Sequence, residues 1–226
     1  LPLPAQLQHF AELELESFRK WRPGVHEARV SHNRQLHYTL ERYDSAPYLS
    51  PSPTGASTMS LSMYQASVPV FIRMLGNLSA ILDKAAAHAE AKKIDPAVFI
   101  RDRLAPDMLP FSFQVQTATD HAKGCTARLA GIEVPKFADT ETTFPELKER
   151  IAKTVTFLQS VTPAQIDGSE ERPITLKLRQ GELKLDGQSY MLFFALPNFY
   201  FHVTTAYDIL RHNGVELGKA DFIGGR

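Results

Sequence analysis

Two histidines stand in apolar surroundings, where imidazole chemistry is the first property to consider. His121 lies in "ATDHAKGC" and His202 in "NFYFHVTT", and apolar residues recur with helical spacing around both. At about 100° per residue, His121 falls on the flank of the apolar seam that contains Cys125. A histidine between Phe201 and Val203 is seldom wholly solvated. We therefore expect both rings to point toward the interior of the protein.

These two histidines predict a site for one divalent metal, namely Zn, Ni or Mn, because neutral imidazole is the commonest protein ligand for such ions. Catalytic zinc usually takes three protein ligands. Ala206 occupies the position one helical turn after His202, where a third histidine is expected. Cys125, one turn after His121, and Asn198, one turn before His202, are the nearest alternative groups and complete a candidate pocket.

Each of these residues also has an ordinary structural interpretation. A histidine on an apolar face is more often hydrogen-bonded in the core than a metal ligand, and a cysteine among alanines is more often small core filler. A nucleophilic role for Cys125 needs a cationic neighbour, and only Lys123 and His121 are near it in sequence. His212 lies in the last turn of a predicted helix, where a protonated imidazole stabilises the carbonyl end.

Pro197 admits two interpretations. Inside a helix it leaves the carbonyl of Phe193 without its usual donor, so a kink there opens a polar space beside Asn198 and His202. Alternatively, Pro197 marks the first turn of a new helix that follows a short irregular segment.

The elements that position these residues are mostly helical. We predict a long helix over about 60–92 with Pro69 in its first turns, a short helix capped by Asp95, a second long helix that ends at Gly131, and a third whose capping box is Thr143 and Glu146. The alternation in "ITLKLRQGELKLDG" predicts a β-hairpin that turns at Gln180–Gly181. A last helix over about 189–212 stops at Gly214. Four long helices with one hairpin before the last predict an all-α, antiparallel four-helix bundle.

The chain divides into two unequal parts. Residues 3–21 have the spacing of an amphipathic helix, and "PYLSPSPTGAST" over 47–58 has the composition of a linker. We therefore predict an N-terminal arm and linker over 1–58, either a native extension or a non-native stretch, and a bundle domain over 59–226 that begins at Met59.

The composition limits which classes of partner we expect. Lys and Arg equal Asp and Glu at 25 each, and the sequence shows no basic patch, so nucleic acid is not an expected partner. The longest apolar run, "MLFFALPNFYFHV", is interrupted and short of the roughly 20 residues that span a bilayer, so a membrane is not expected either. One cysteine, Cys125, suits a reducing compartment and predicts a cytoplasmic location. A homodimer through a helix face is the expected assembly.

Four motifs, "SLSMYQASVPVF", "DHAKG", "FHVTTAYDILRHNG" and "GKADF", carry a resemblance to a known group. Together they resemble an uncharacterised domain-of-unknown-function family within the DinB/YfiT-like superfamily, from Met59 to Gly224. The resemblance implies a four-helix bundle with a hairpin before the last helix. It also implies a divalent metal held by three histidines, one on the second helix and two at i, i+4 on the last, with thiol-dependent transfer in some relatives. His121 and His202 match two of these positions, and Ala206 departs from the third.

We therefore predict a helical-bundle protein that binds a small molecule in a polar pocket near His121, Asn198 and His202. One alternative is a metal-dependent transferase or hydrolase in which the metal activates a thiol or water. Another is a protein-interaction or stress-response module without catalysis, in which substitutions in the pocket change only stability.

Overall fold

The computed structural model describes residues 61–178 and 181–225. The predicted arm and linker over 1–58, and the predicted domain start at Met59, lie outside the described residues, so both stay predictions.

Four long helices form the body of the described part, in agreement with the sequence. The elements in chain order are α1 (Met63–Lys92), α2 (Pro96–Arg101), α3 (Phe111–Ala130), α4 (Phe144–Gln159), α5 (Pro163–Ile166), β1 (Ile174–Leu178), β2 (Gly181–Leu185), α6 (Gly187–Tyr190), a π-helical turn (Met191–Ala195), α7 (Leu196–His212) and α8 (Lys219–Ile223). In the bundle α3 packs against α7 and α4, and α1 packs against α4, α3 and α7.

The ends of the helices follow the capping signals. Ser62 forms a capping box with Gln65 at the start of α1, and Thr143 forms one with Glu146 at the start of α4. Asp95 accepts a hydrogen bond from the Ala97 amide at 2.9 Å at the start of α2. Gly131 ends α3 with φ of 70°, a left-handed conformation that costs glycine no Cβ clash.

The hairpin lies before the last long helix, as predicted, with Leu176 opposite Leu183 in an antiparallel register. Ile174, Leu176 and Leu183 are buried, so one face of this two-stranded sheet joins the core of the helices. The predicted turn is displaced by one residue. Because Leu178 pairs with Gly181, Gly181 begins β2, and the two connecting residues, 179 and 180, lie outside the described residues.

The predicted last helix over 189–212 is three joined helical segments. Asp186 caps α6 by accepting the Ser189 amide at 2.7 Å, and the chain then passes through the π-helical turn into α7 without leaving the helical conformation. Pro197 lies in the first turn of α7, directly after the π-helical turn. Because the turn before it is wider than an α-helical turn, the chain tolerates Pro197, which has no N–H to donate. Pro197 therefore lies neither in the interior of one regular helix nor at the start of a helix that follows an irregular segment.

The core lies along the facing seams of the long helices and contains Phe71, Leu75, Val115, Leu147 and Phe199. By length and composition, α1 is apolar enough to cross a bilayer, and it is the one helix of the described ranges with this property. The longest apolar run of the sequence, over 191–203, is a different segment. The buried residues of α1 pack within the bundle, and they include Phe71, Leu75, Leu78 and Leu82.

Candidate functional site

His121 and His202 come together across the α3–α7 interface. Their ring centroids are 5.7 Å apart and the ring planes differ by 15°. Phe194 from the π-helical turn lies 5.9 Å from His121, and Phe113 lies 6.3 Å from His202. The extensive packing of α3 on α7 thus places the two imidazoles in one half-buried, largely aromatic environment.

Gln114 sets the proton position on His202. The Gln114 amide nitrogen donates to the Leu109 carbonyl at 2.8 Å, so the Gln114 side-chain oxygen is the atom that faces Nδ1 of His202, also at 2.8 Å. An oxygen acceptor requires a protonated nitrogen opposite it. His202 therefore carries its proton on Nδ1, and its Nε2 keeps a lone pair, which is the tautomer of a metal ligand or a hydrogen-bond acceptor.

Both imidazoles are held neutral. Burial, followed by the neighbouring His202, lowers the pKa of His121 to about 4. Burial lowers the pKa of His202 to about 4 as well. At neutral pH each ring is therefore uncharged, which suits ligand binding and excludes a pair of imidazolium ions in contact.

These donors do not fit the three-histidine centre that the resemblance implies. Ala206 is fully buried one turn after His202 and supplies no ligand atom. No group of three or more His, Cys, Asp or Glu side chains able to hold a metal occurs within residues 61–178 and 181–225. At this site the described chain offers two imidazoles, those of His121 and His202. Only His202 has its tautomer set by a neighbour, Gln114, which leaves Nε2 as the free ligand atom.

Cys125 is buried in the core and is not poised for reaction. Its side chain has no exposed surface, and burial raises the pKa of the thiol to about 12. A nucleophile or a metal ligand must be a thiolate, so the environment of Cys125 favours the core-filler interpretation.

Asn198 is half-buried, and its side-chain amide donates to the carbonyl of Phe194 at 2.7 Å. The residue therefore supports the backbone of the widened turn within its own helix. A hydrogen bond between the π-helical turn and Asn198 explains why a polar residue stands next to Pro197.

A cavity of about 250 Å³ is lined by residues of α3, the hairpin, α6 and the π-helical turn, and His202 is not among them. We call it the hairpin cavity. It is lined by Asp120, His121, Arg128, Leu176, Lys177, Leu178, Tyr190 and Phe194. Of the predicted pocket residues, only His121 lines it.

Arg128 and Tyr190 are polar residues of the hairpin cavity that were not among the predicted site residues. The Arg128 guanidinium donates to the Tyr190 hydroxyl at 3.0 Å and lies over the tyrosine ring at 5.8 Å. Burial raises the pKa of Tyr190, so the hydroxyl stays protonated and can donate onward. Because the two residues are 62 positions apart, no local sequence pattern predicts their contact. A helical wheel shows only that Arg128 lies one turn after Gly124 on the same face of α3.

Asp120, next to His121, is held by two cations. Arg150 of α4 contacts its carboxylate at 2.7 Å and Lys123 contacts it at 2.8 Å. The side chain of Arg150 is fully buried and also pairs with Asp139 at 2.9 Å and Glu141 at 3.1 Å. This network orients Asp120 at the mouth of the hairpin cavity.

A second depression, of about 340 Å³, lies outside Arg150. Its wall is mostly exposed and carries opposite charges that pair with one another, as Lys153 does with Glu149 at 2.7 Å. It contains no histidine, cysteine or buried unpaired group, so we favour the hairpin cavity as the functional site.

Comparison with known proteins agrees with this fold. The family model described as "Domain of unknown function (DUF1993)" matches residues 63–223. A crystal structure of a DinB family member protein from Shewanella denitrificans is 45% identical, with a TM-score of 0.66, and the match covers 72% of this chain and 92% of that one. No curated protein matches the chain.

These findings confirm the predicted resemblance and the helical bundle with its hairpin before the last long helix. The chain belongs to the DUF1993 family and to the wider DinB-like group of helical proteins.

Proposed function

We propose that this protein binds a small polar molecule in the hairpin cavity. The observation that carries the proposal is the convergence of the polar residues His121, Arg128 and Tyr190 on one concave space that Phe194 and Leu176 also line. Small-molecule sites typically combine an apolar wall with a few placed polar groups.

The contacts support a pre-formed site. Tyr190 is buried and stacks on Phe194 at 5.9 Å, while Arg128 is tied to the Tyr190 hydroxyl. Asp120 is fixed by Arg150 and Lys123. Groups whose positions are set before binding lose little conformational freedom when a ligand arrives.

Ligand-observed NMR on the full chain tests this proposal with a library of small polar fragments. We expect hits that are lost when Leu178→Trp fills the cavity and kept when Leu185→Trp is introduced on the same hairpin, since Leu185 does not line the cavity. Both leucines are half-buried, so the two variants are matched. Fragments that bind both tryptophan variants equally well would place the site elsewhere.

A divalent-metal site, with transferase or hydrolase chemistry on a thiol or water, is the second candidate. The lone pair on Nε2 of His202 and the neutral state of His121 favour it. Two imidazoles fall short of the usual protein ligand set, so we expect weak binding of Zn, Ni or Mn. We derive no reaction step from it.

Paramagnetic NMR separates this site from the histidines of the N-terminal arm. We expect added Ni²⁺ or Mn²⁺ to broaden the imidazole signals of His121 and His202 in the full chain, and His202→Ala to remove the effect at His121. Equal broadening in the His202→Ala protein, or none in the parent, would remove the metal candidate. His212→Ala is the control, since His212 is exposed in the last turn of α7.

We also propose that the protein is a homodimer. An uncharged aromatic stripe lies on the π-helical turn and α7, formed by Leu192, Phe193, Pro197, Tyr200 and Phe201, all exposed. Two identical copies of an uncharged face pair about a two-fold axis without like-charge repulsion. A cytoplasmic location and a role as an interaction module stay proposals that follow from the composition and from this stripe.

A further inference from the structure

We propose that the ligand of the hairpin cavity is a small organic anion, with a carboxylate or phosphate group bound by Arg128 and a short apolar body against Phe194. This inference rests on the proposed function and names the chemical class that the same cavity accepts.

The charges around the cavity are unequal. Arg128 makes no ion pair with any other residue of 61–178 and 181–225, whereas the one acid of the lining, Asp120, is paired with both Arg150 and Lys123. Lys177 is exposed and stands opposite Glu182 of β2, which offsets its charge. His121 is neutral. The cavity therefore presents one cation without an acidic partner, Arg128, and a neutralised carboxylate, and such a field favours an anion over a cation or a neutral molecule.

Arg128 is held in a position suited to an anion. Its guanidinium uses one nitrogen for the Tyr190 hydroxyl at 3.0 Å, and its remaining N–H groups are available for a bidentate contact with a carboxylate or phosphate. The Tyr190 hydroxyl accepts from Arg128 and keeps its own proton to donate to the same ligand.

Gly124 makes room for this position. A Cβ atom built on Gly124 would lie 2.6 Å from Nη1 of Arg128, closer than atoms approach without a shift. The guanidinium lies back along α3 over the glycine, one helical turn away. Because the clash is with the free end of a flexible side chain, Gly124→Ala moves the guanidinium without a large cost to the fold.

The size of the space sets the size of the ligand. About 250 Å³ holds roughly eight water-sized groups, since one water occupies about 30 Å³ in the liquid. Phe194, Leu176 and Leu178 supply the apolar part of the lining. A single aromatic ring or a short alkyl chain with one anionic group fits this volume.

The test uses three probes on the full chain: benzoate, phenyl phosphate and benzamide, the last being a neutral analogue of benzoate. Affinities are measured by protein-observed NMR titration, with shifts followed at His121, Tyr190 and Phe194. We expect benzoate or phenyl phosphate to bind at least about tenfold more tightly than benzamide, and the stronger of the two identifies the anionic group.

Two variants and one control separate position from charge. We expect Arg128→Gln to weaken binding of the anion about tenfold or more, and Gly124→Ala to do the same although the charge remains. Arg211→Gln, an exposed arginine on α7 outside the cavity, should leave the affinity unchanged. Thermal unfolding of each variant shows whether the fold is kept, and Gly124→Ala should be at least as stable as the parent, because alanine is the better helix former.

Benzamide bound as tightly as both anions, or unchanged affinity in Arg128→Gln, would overturn the anion inference and leave a cavity that binds small molecules. If neither anion shifts the cavity signals, the anion inference also fails. If in addition no neutral fragment shifts them, the proposed function fails with it.

Discussion

His121 and His202 lie with their ring centroids 5.7 Å apart across two helices that meet only in the folded bundle. Gln114 sets the proton of His202, and burial keeps both rings neutral. The pair is thus a structural part of the α3–α7 interface, and one of its members, His121, also lines the hairpin cavity.

The neutral histidine pair makes stability depend on pH. An unfolded histidine titrates near pH 6.5, whereas the pKa of each folded ring is about 4. As the pH falls below about 6.5, protons bind the unfolded chain first, so the contribution of the pair to stability is complete above that pH and is lost as the pH approaches 4. We expect a loss on the order of 3 kcal/mol for His121 and less for His202, which is less deeply buried.

Urea unfolding of the full chain at several pH values between 7 and 4 measures the slope of the free energy of unfolding against pH. His121→Gln should flatten it, and His212→Gln, at an exposed position, should not. An identical slope in the parent and the His121→Gln protein would contradict the neutral pair. The carboxylates of the chain titrate in all three proteins and cancel in the comparison.

Cys125 should be unreactive in the folded protein. It is the one cysteine of the sequence, its side chain is fully buried, and burial raises its pKa to about 12. At pH 8 the thiolate fraction is then roughly three orders of magnitude below that of an exposed cysteine. Reaction with a chromogenic disulfide should be slow in buffer and fast in denaturant. Rapid labelling of the native chain would show that Cys125 is accessible.

Arg150 should be important for the stability of the bundle. Its fully buried guanidinium contacts Asp120, Asp139 and Glu141. Arg150→Ala therefore leaves Asp139 and Glu141 without this cation, leaves Asp120 with Lys123 alone, and opens a space in the interface of α3 and α4. We expect a loss of about 3 kcal/mol.

Lys153→Ala on the same helix is the control for Arg150. Lys153 pairs with Glu149 at the surface, and its removal should change the free energy of unfolding by less than about 0.5 kcal/mol. Chemical denaturation of both variants gives the comparison. Equal effects would mean that the buried network contributes no more than a surface pair.

Phe201 should govern the assembly state. The ring is 55% exposed, the most exposed large apolar side chain of the uncharged stripe, and Phe201→Glu places a charge on each copy of the proposed two-fold face. Sedimentation velocity of the full chain should show a dimer that becomes a monomer in this variant. Ile132→Glu, at another exposed apolar position, should leave the dimer intact. A monomeric parent chain would remove the proposal.

The amino-acid sequence by itself determined the helices and the hairpin, because their signals are local. Capping boxes at Ser62 and Thr143 and a left-handed glycine at Gly131 act within one helical turn, and the alternation around Leu176 and Leu183 acts within one strand. The same locality allowed His121 and His202 to be chosen as inward-facing.

Only the tertiary structure decided which side chains share a site. Gln114 and His202 are 88 residues apart, and Arg128 and Tyr190 are 62 apart, so their contacts follow from how α3 packs on the last helical stretch and leave no pattern in either segment. The π-helical turn shifts the phase of that stretch before Pro197, and a regular helical wheel does not account for this shift. Asn198, which follows the turn, donates to its backbone, and Cys125 is enclosed in the core, so neither lines the hairpin cavity, whereas Arg128, Tyr190 and Phe194 do.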